Sequence, residues 1–356
     1  MALVITDPTH QPKAGSAFDR FAARYLNEER DIVFVRLALK QSVLVIPPAV
    51  AFYAVPHFAW WLAIPYYLMV FAVFLGPYIL MLHNTSHRRL FKSQHTWLNQ
   101  YIPTVLGPFF GETPGTYFAH HVGMHHPENN LKDDLSSTME FQRDSFVDYM
   151  RYFTRFFIFG LIELTIYFYK RGRWALMRKA MFGELGYYAV MAGFAYLNLR
   201  ATVVVFLIPL CFSRFMMMAG NWGQHAFIDL AAPENCYRNS ITCINVRYNH
   251  VAFNDGYHIG HHLKATRHWT EMPVEFQQNL AKYAEERAIV FHGVDFFMVW
   301  AFLMLKRYDW LARRMVSLDG VEMTEADKIA LMHQRLQRMP AAYVAAGRVP
   351  ASSLAA

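Results

Sequence analysis

Long apolar runs separated by short polar segments dominate the pattern of this chain. Two runs, 37–55 and 58–82, are separated by only two residues, and a second pair, 186–199 and 202–220, follows the same plan. The longer runs can cross the roughly 30 Å hydrocarbon core of a bilayer as helices, and the second pair is near the short limit. The pattern predicts an all-α membrane protein with four transmembrane helices arranged as two hairpins.

Composition and charge support a membrane location. Hydrophobic residues make up 54% of the chain and charged residues 17%, and the mean hydropathy is +0.12. The net charge of +7 is typical of basic loops held on the cytoplasmic side, so we expect no nucleic-acid partner. Three scattered cysteines are too few for a disulfide framework.

The remaining segments complete the predicted organisation. Residues 1–16 are predicted to be a disordered tail. Residues 17–40 are predicted to form an amphipathic helix, which either lies on the membrane surface or packs on a soluble domain. The apolar stretch 289–305 contains His292 and Asp295, which favours a buried or interfacial helix over a spanning one. The predicted domains are an N-terminal tail with interfacial helix (1–36), the membrane domain (37–275), cytoplasmic or interfacial helices (276–339) and a disordered tail (340–356).

Three groups of closely spaced histidines stand out among the 17 in the chain. A lone histidine is more often a hydrogen-bonded structural side chain, but repeated clusters are hard to ascribe to chance. Residues at i and i+4 on a helix share a face, and those at i and i+3 lie beside each other, so each group can direct several imidazoles at one region. In chain order the groups are box one (His83 and His87), box two (His121, His125 and His126) and box three (His258, His261 and His262).

The order of the groups along the chain constrains the topology. They can share one site only if an even number of spans separates them, and the 186–220 pair supplies two. The segment 147–169, which contains Arg151 and Glu163, is therefore predicted to lie at the membrane interface rather than to cross. Basic side chains directly after His87 indicate that the histidine face is cytoplasmic.

Eight imidazoles exceed what one ion can coordinate, so two ions are predicted. Neutral imidazole suits iron, zinc, copper and nickel. Zinc would satisfy the coordination, but two histidine-rich sites beside an apolar hairpin favour redox chemistry on a hydrophobic substrate, and hence iron. Acidic groups that orient metal-binding imidazoles are expected nearby; the candidates are Glu128, Asp133, Asp134, Asp229 and Asp255.

The pattern His-x3-His, His-x3-His-His, His-x2-His-His resembles the membrane fatty acid desaturase family, which belongs to the histidine-box di-iron superfamily. The segment from Asn221 to His225 resembles the Asn-x3-His element of that family, and the likeness extends over about 37–271. It implies a histidine-rich di-iron cap on the cytoplasmic face, with Asn221 holding a metal-bound water. The implied metal ligands are His83, His87, His121, His125, His126, His225, His258, His261 and His262.

One feature departs from the family pattern. Desaturases usually have two residues before the His-His pair of box two, whereas three follow His121 here, as in alkane hydroxylases. His120 is adjacent and is an alternative ligand to His121. The asparagine element favours desaturation, and the box-two spacing favours hydroxylation.

The resemblance implies O2-dependent desaturation of a fatty acyl chain linked to lipid, CoA or a carrier, with two Fe ions (Fe2+/Fe3+) as cofactors and O2 as co-substrate. The alternatives are a di-iron hydroxylase or ketolase acting on an alkyl or isoprenoid lipid, and a metal transporter or sensor. No haem, dinucleotide or iron–sulfur motif occurs, so an external donor of ferredoxin or cytochrome b5 type, with its reductase, is expected. Its docking surface, or merely a lipid-facing basic rim, is predicted at Arg88, Arg89, Lys92, Lys170, Arg171 and Arg173.

Overall fold

The computed structural model describes residues 3–10, 15–55, 57–318 and 322–340. The chain is mostly helical and divides into two compact units. Unit 1 comprises Met1–Thr9, Met124–Gly160 and Met216–Ala356, and unit 2 comprises His10–Gly123 and Leu161–Phe215.

Unit 2 contains most of the long apolar helices. Its α-helices are Ala17–Ala23, Ile32–Ala54, Ala63–Tyr67, Leu75–His87, Thr116–His120, Trp174–Leu197 and Leu199–Thr202. Wider π-helical turns occur at Leu68–Phe74, Tyr101–Leu106 and Val203–Leu207, and tighter 3-10 turns at Glu29–Asp31, Trp60–Leu62, Ser93–Gln100 and Gly107–Phe110. The helix Ile208–Gln224 begins in this unit.

In the described part of the chain, three helical stretches are long and apolar enough to cross a membrane: Glu29–Ala54, Trp60–His87 and Leu199–Gln224. They include all or nearly all of three of the four predicted runs. Most of the fourth run, 186–199, lies in the helix Trp174–Leu197. That helix also carries the charged residues Arg178, Lys179 and Glu184, and it is not among the three candidate spans. The four-span, two-hairpin arrangement therefore stays a prediction.

Close helix approach in unit 2 depends on glycine. A Cβ on Gly183 would lie 1.6 Å from the carbonyl oxygen of Pro114, and one on Gly111 would lie 2.3 Å from that of Pro209. Gly111 also has φ +75°, which favours glycine. These contacts hold the loop before the second histidine group against the later helices of the unit.

Unit 1 is built from shorter elements. The helix Phe146–Lys170 begins here, and it is followed in the unit by Cys236–Asn239, Arg247–Val251, His258–Leu263, Met272–Gln278, Leu280–Glu285, Phe296–Met304, Tyr308–Arg314 and Glu325–Arg335. The segment 147–169, predicted to lie at the interface, lies in the first of these helices, and that helix is not among the three candidate spans.

Two short strands correct the all-α expectation. Strand β1 (Ile241–Ile244) pairs in parallel with β2 (Ile289–His292), with Ile241 opposite Ile289. The apolar stretch 289–305 is therefore not one helix. It consists of the strand β2, a turn at Gly293 (φ +70°) and a nine-residue helix. Asp295 is the N-cap of that helix and accepts a hydrogen bond from Met298 N at 2.8 Å.

The chain ends also differ from expectation. Part of the predicted disordered tail is packed: Leu3 and Ile5 lie against the apolar cluster around Tyr257 and Phe276 in unit 1. The helix predicted over residues 17–40 is interrupted: Ala17–Ala23 forms one helix, and the next begins at Ile32 after the 3-10 turn Glu29–Asp31. The predicted C-terminal tail from 341 onward lies outside the described residues.

Candidate metal centre

Four imidazoles converge in unit 1. The short helix His258–Leu263 places His258 and His262 on one face, with their Nε2 atoms 3.0 Å apart. Nε2 of His225 lies 3.2 Å from Nε2 of His258. His125 completes the set, and one ligand atom from each of the four lies within 4.8 Å of the others. We call His125, His225, His258 and His262 the histidine quartet.

Hydrogen bonds on the opposite ring nitrogens orient two members of the quartet. Nδ1 of His225 lies 2.8 Å from the carbonyl oxygen of Asn239. A carbonyl only accepts, so Nδ1 carries the proton and Nε2 is left as the ligand atom. Nδ1 of His125 lies 2.7 Å from Oδ2 of Asp134. Such partners fix the tautomer and raise ligand basicity in metal sites.

The carboxylate of Asp134 is itself held in place. It accepts hydrogen bonds from Asn130 N at 2.9 Å, from Ser136 N at 2.8 Å and from Ser136 Oγ at 2.6 Å. Two of the other acidic candidates have different partners. Asp255 accepts a 2.7 Å hydrogen bond from Tyr248, and Asp229 pairs with arginines.

Burial favours the neutral form of two imidazoles of the quartet, His225 and His262. Burial, reinforced by neighbouring His125, lowers the pKa of His225 to about 3. Burial and the adjacent His258 likewise lower the pKa of His262 well below its usual value. Neutral imidazole is the form that binds a metal ion. An all-nitrogen set with fixed tautomers fits a divalent first-row transition metal, iron among them.

A second pair in unit 1 has the same character. Nε2 of His126 lies 2.9 Å from Nε2 of His261, and the ring centroids are 4.7 Å apart. Adjacent residues His125 and His126 therefore serve different clusters, as do His261 and His262.

Unit 2 contains a histidine trio. His83 and His87 lie one turn apart at the C-terminal end of the helix Leu75–His87, with ring centroids 5.1 Å apart. The ring of His121 lies 4.6 Å from that of His83 and 5.1 Å from that of His87. The ligand atoms of the three lie within 4.8 Å of one another. The trio favours His121 over His120, a choice that the sequence leaves open.

The backbone of box two accounts for its unusual spacing. The segment His121–His125 is π-helical, between the α-helices Thr116–His120 and His126–Glu128. A π turn accommodates one more residue than an α turn and is frequent at functional sites. A π turn at this position can therefore accommodate the additional residue locally.

Asn221 lies near the quartet rather than in it. Its amide Nδ2 donates to Ser136 O at 3.0 Å and to Tyr152 Oη at 2.7 Å, and Ser136 Oγ lies 3.4 Å from Nδ1 of His125. Both N–H bonds of the amide are used, so its carbonyl oxygen is the atom suited to accept a hydrogen bond from water. Sequence reasoning missed Tyr152 and the Asn239 carbonyl, and the latter leaves no trace in side-chain patterns.

Several predicted donor-docking cations have structural partners. Arg88 pairs with Asp31 at 2.8 Å, and Lys92 Nζ donates to Arg24 O at 2.8 Å. Arg173 donates to the carbonyl of Gly123, and the guanidinium of Arg171 lies over the ring of Tyr167. These side chains therefore stabilise unit 2, whatever else they do.

In a comparison with protein-family models, the model described as fatty acid desaturase matches residues 58–294. The chain belongs to the fatty acid desaturase family. No curated protein and no solved structure matches it. The match contains every histidine of the quartet, the pair and the trio, and it begins after the helix Ile32–Ala54. Membership in the fatty acid desaturase family implies an oxidoreductase that acts on lipids by desaturase- or hydroxylase-type oxidation.

Proposed function

We propose that this family member catalyses O2-dependent desaturation of a fatty acyl chain at a membrane di-iron site. The observation that carries the proposal is the histidine quartet: four converging imidazoles, three of them buried and one partly buried, with two oriented through Nδ1. The family match supplies the class of reaction. The acyl chain is linked to lipid, CoA or a carrier protein.

The ligand assignment follows the family resemblance. The quartet would hold one iron. We propose that the other five predicted ligands also bind iron; they are the trio His83, His87 and His121 in unit 2 and the pair His126 and His261 in unit 1. When bound, iron supplies O2 activation and the removal of hydrogen from an unactivated methylene.

The protein's own contribution is to position groups and exclude water. Asp134 and the Asn239 carbonyl fix ring orientation at His125 and His225. The carbonyl oxygen of Asn221 is assigned to hold a water in the site. Burial keeps His225 and His262 neutral at physiological pH, so that protons do not compete with the metal.

A hydroxylase or ketolase acting on an alkyl or isoprenoid lipid is the second candidate. The sequence feature that favours it is the additional residue between His121 and the His-His pair of box two. Because the π turn His121–His125 absorbs that residue locally, its weight as a mark of hydroxylation is reduced. The Asn221–His225 element then favours desaturation.

We further propose a multi-pass topology with the histidine boxes on the cytoplasmic face, served by an external ferredoxin- or cytochrome b5-type donor. The three long apolar helices support a membrane location. Among the predicted docking cations, Arg89, Lys170 and Arg171 are exposed, whereas Arg88, Lys92 and Arg173 bind within unit 2.

Expression in a host with defined lipids, followed by mass spectrometry of its fatty acids, tests the reaction. A product two hydrogens lighter than its parent supports desaturation, and one oxygen heavier supports hydroxylation. His261→Ala should abolish either product while membrane insertion persists, and His10→Ala, at an exposed position, serves as control. Zinc or copper in the purified protein, with no O2 consumption, would favour a metal transporter or sensor instead.

A further inference from the structure

The N-terminal segment lies against the loops that carry box three. Asp7 is 5% exposed, and its Oδ2 accepts a hydrogen bond from Asn245 N at 2.6 Å and another from Tyr257 Oη at 2.7 Å. All three residues belong to unit 1. One carboxylate therefore joins the end of β1 to the residue directly before His258.

Two asparagines with left-handed backbone strengthen this connection. Asn245 (φ +52°) follows β1, and its side chain accepts from Thr6 N and donates to Val4 O, each at 2.7 Å. Asn254 (φ +54°) lies in the loop before box three and donates to Pro8 O at 2.7 Å. Positive φ is costly for a residue other than glycine unless surrounding contacts hold it. The segment 4–8 supplies such contacts at both corners.

Tyr257 transmits this restraint to the metal ligands. It is the N-cap of the helix His258–Leu263, and its ring packs on Phe276 with centroids 5.7 Å apart. The Tyr257 side chain makes no hydrogen bond to a backbone amide of that helix. The helix has only six residues, so its direction depends on where Tyr257 is held rather than on its own length.

We propose that Asp7 is a positioning residue for box three: through Tyr257 and Asn245 it sets the placement of His258 and His262 in the quartet. Metal sites tolerate only small displacements of their ligands, and loss of an outer partner typically lowers metal affinity about 10- to 100-fold. The inference rests on the metal-binding part of the proposed function and not on the reaction.

Cobalt(II) titration of the purified full-length protein, followed by its visible absorption, tests the inference. His225→Ala identifies the signal that belongs to the quartet. Asp7→Ala should weaken cobalt binding at the quartet by about tenfold or more. Asp7→Asn keeps an acceptor oxygen and should bind close to wild type, and Thr9→Ala, at an exposed position in the same segment, should be unchanged.

Hydrogen exchange of the helix His258–Leu263 gives a second readout, expected to be faster in Asp7→Ala. If Asp7→Ala fails to fold, Tyr257→Phe decides, because it removes one hydrogen bond and leaves the bond between Asp7 and Asn245 N. Wild-type cobalt affinity in Asp7→Ala, or in Tyr257→Phe where that variant decides, would overturn the inference. A wild-type protein that binds no cobalt would refute the proposed metal site instead.

Discussion

The carboxylate of Asp134 lies 2.7 Å from Nδ1 of His125, and both side chains are almost fully buried. The contact leaves Nε2 of His125 as its ligand atom, close to the ligand atoms of the other three members of the quartet. Backbone and hydroxyl donors from Asn130 and Ser136 fix the carboxylate in turn. The orientation of His125 is thus set by the loop after box two.

Removing that carboxylate should weaken one metal site selectively. We expect Asp134→Ala to lower iron affinity at the quartet about 10- to 100-fold, because His125 loses the partner that fixes its tautomer. Anaerobic equilibrium dialysis with Fe2+ measures the change. Asp133→Ala, at the exposed neighbouring position, is the matched control and should bind iron normally. Equal affinity in the two variants would contradict this role for Asp134.

The buried ion pair of Glu184 and Arg214 should be sensitive to loss of either partner. Their side chains are 2% and 11% exposed, and Glu184 also accepts from Thr113 Oγ1 at 2.6 Å. Arg214→Met leaves an unpaired buried carboxylate, which typically costs about 3–5 kcal/mol of unfolding free energy. Detergent-solubilised protein should therefore melt at a lower temperature in this variant.

The double variant Glu184→Gln with Arg214→Met provides the decisive comparison for that pair. It removes both charges, so we expect it to recover most of the stability that Arg214→Met loses. Additive losses in the double variant would show that the two side chains act independently.

Glu112 should make stability depend on pH. Burial raises the pKa of its carboxyl from 4.5 to about 8, with Arg214 opposing and Glu184 adding to the shift. The native state holds this proton more tightly than the unfolded state, so the contribution is fully present below pH 4.5 and is lost as the pH rises toward about 8. Glu112→Gln is neutral throughout and lacks this loss.

The melting temperature of Glu112→Gln relative to wild type should therefore increase as the pH rises from about 5 to about 8. Glu140→Gln, whose side chain is 47% exposed, should show no such trend. A pH-independent difference between wild type and Glu112→Gln would mean that Glu112 is ionised in the native protein across this range.

The features that could be predicted from the sequence are those that depend on residues close together along the chain. The clustering of His258 with His262, and of His83 with His87, was predictable because a helix places i and i+4 side by side. The apolar runs likewise identified three long helices. These features depend on local periodicity.

The features that were not predicted depend on contacts between residues far apart along the chain or on backbone atoms. The parallel pairing of β1 and β2 joins segments 48 positions apart, as Ile241 opposite Ile289 shows, and four-residue strands carry little periodic signal. The contact between Asp7 and Tyr257 joins residues 250 apart, in a segment whose composition is that of a disordered tail. Backbone acceptors such as the Asn239 carbonyl have no side-chain identity to detect.

The π turn of box two leads to a prediction about chain length rather than side-chain chemistry. Deleting Val122 from His121–His125 leaves the two-residue spacing that is usual in the family, which an α turn can accommodate. The flanking helices Thr116–His120 and His126–Glu128 should then keep their phase. We expect the variant to retain the metal content of the wild-type protein.

Inserting an alanine after Val122 is the matched control, because a π turn has no room for a further residue. Box two should then rotate out of register, and His121 should separate from His83 and His87. Metal analysis of the purified variants tests this. Full metal content after deletion and reduced content after insertion would support the view that the π turn His121–His125 accommodates the additional residue of box two. Loss of metal on deletion would show instead that the three-residue spacing is itself required, which would restore its weight in favour of a hydroxylase.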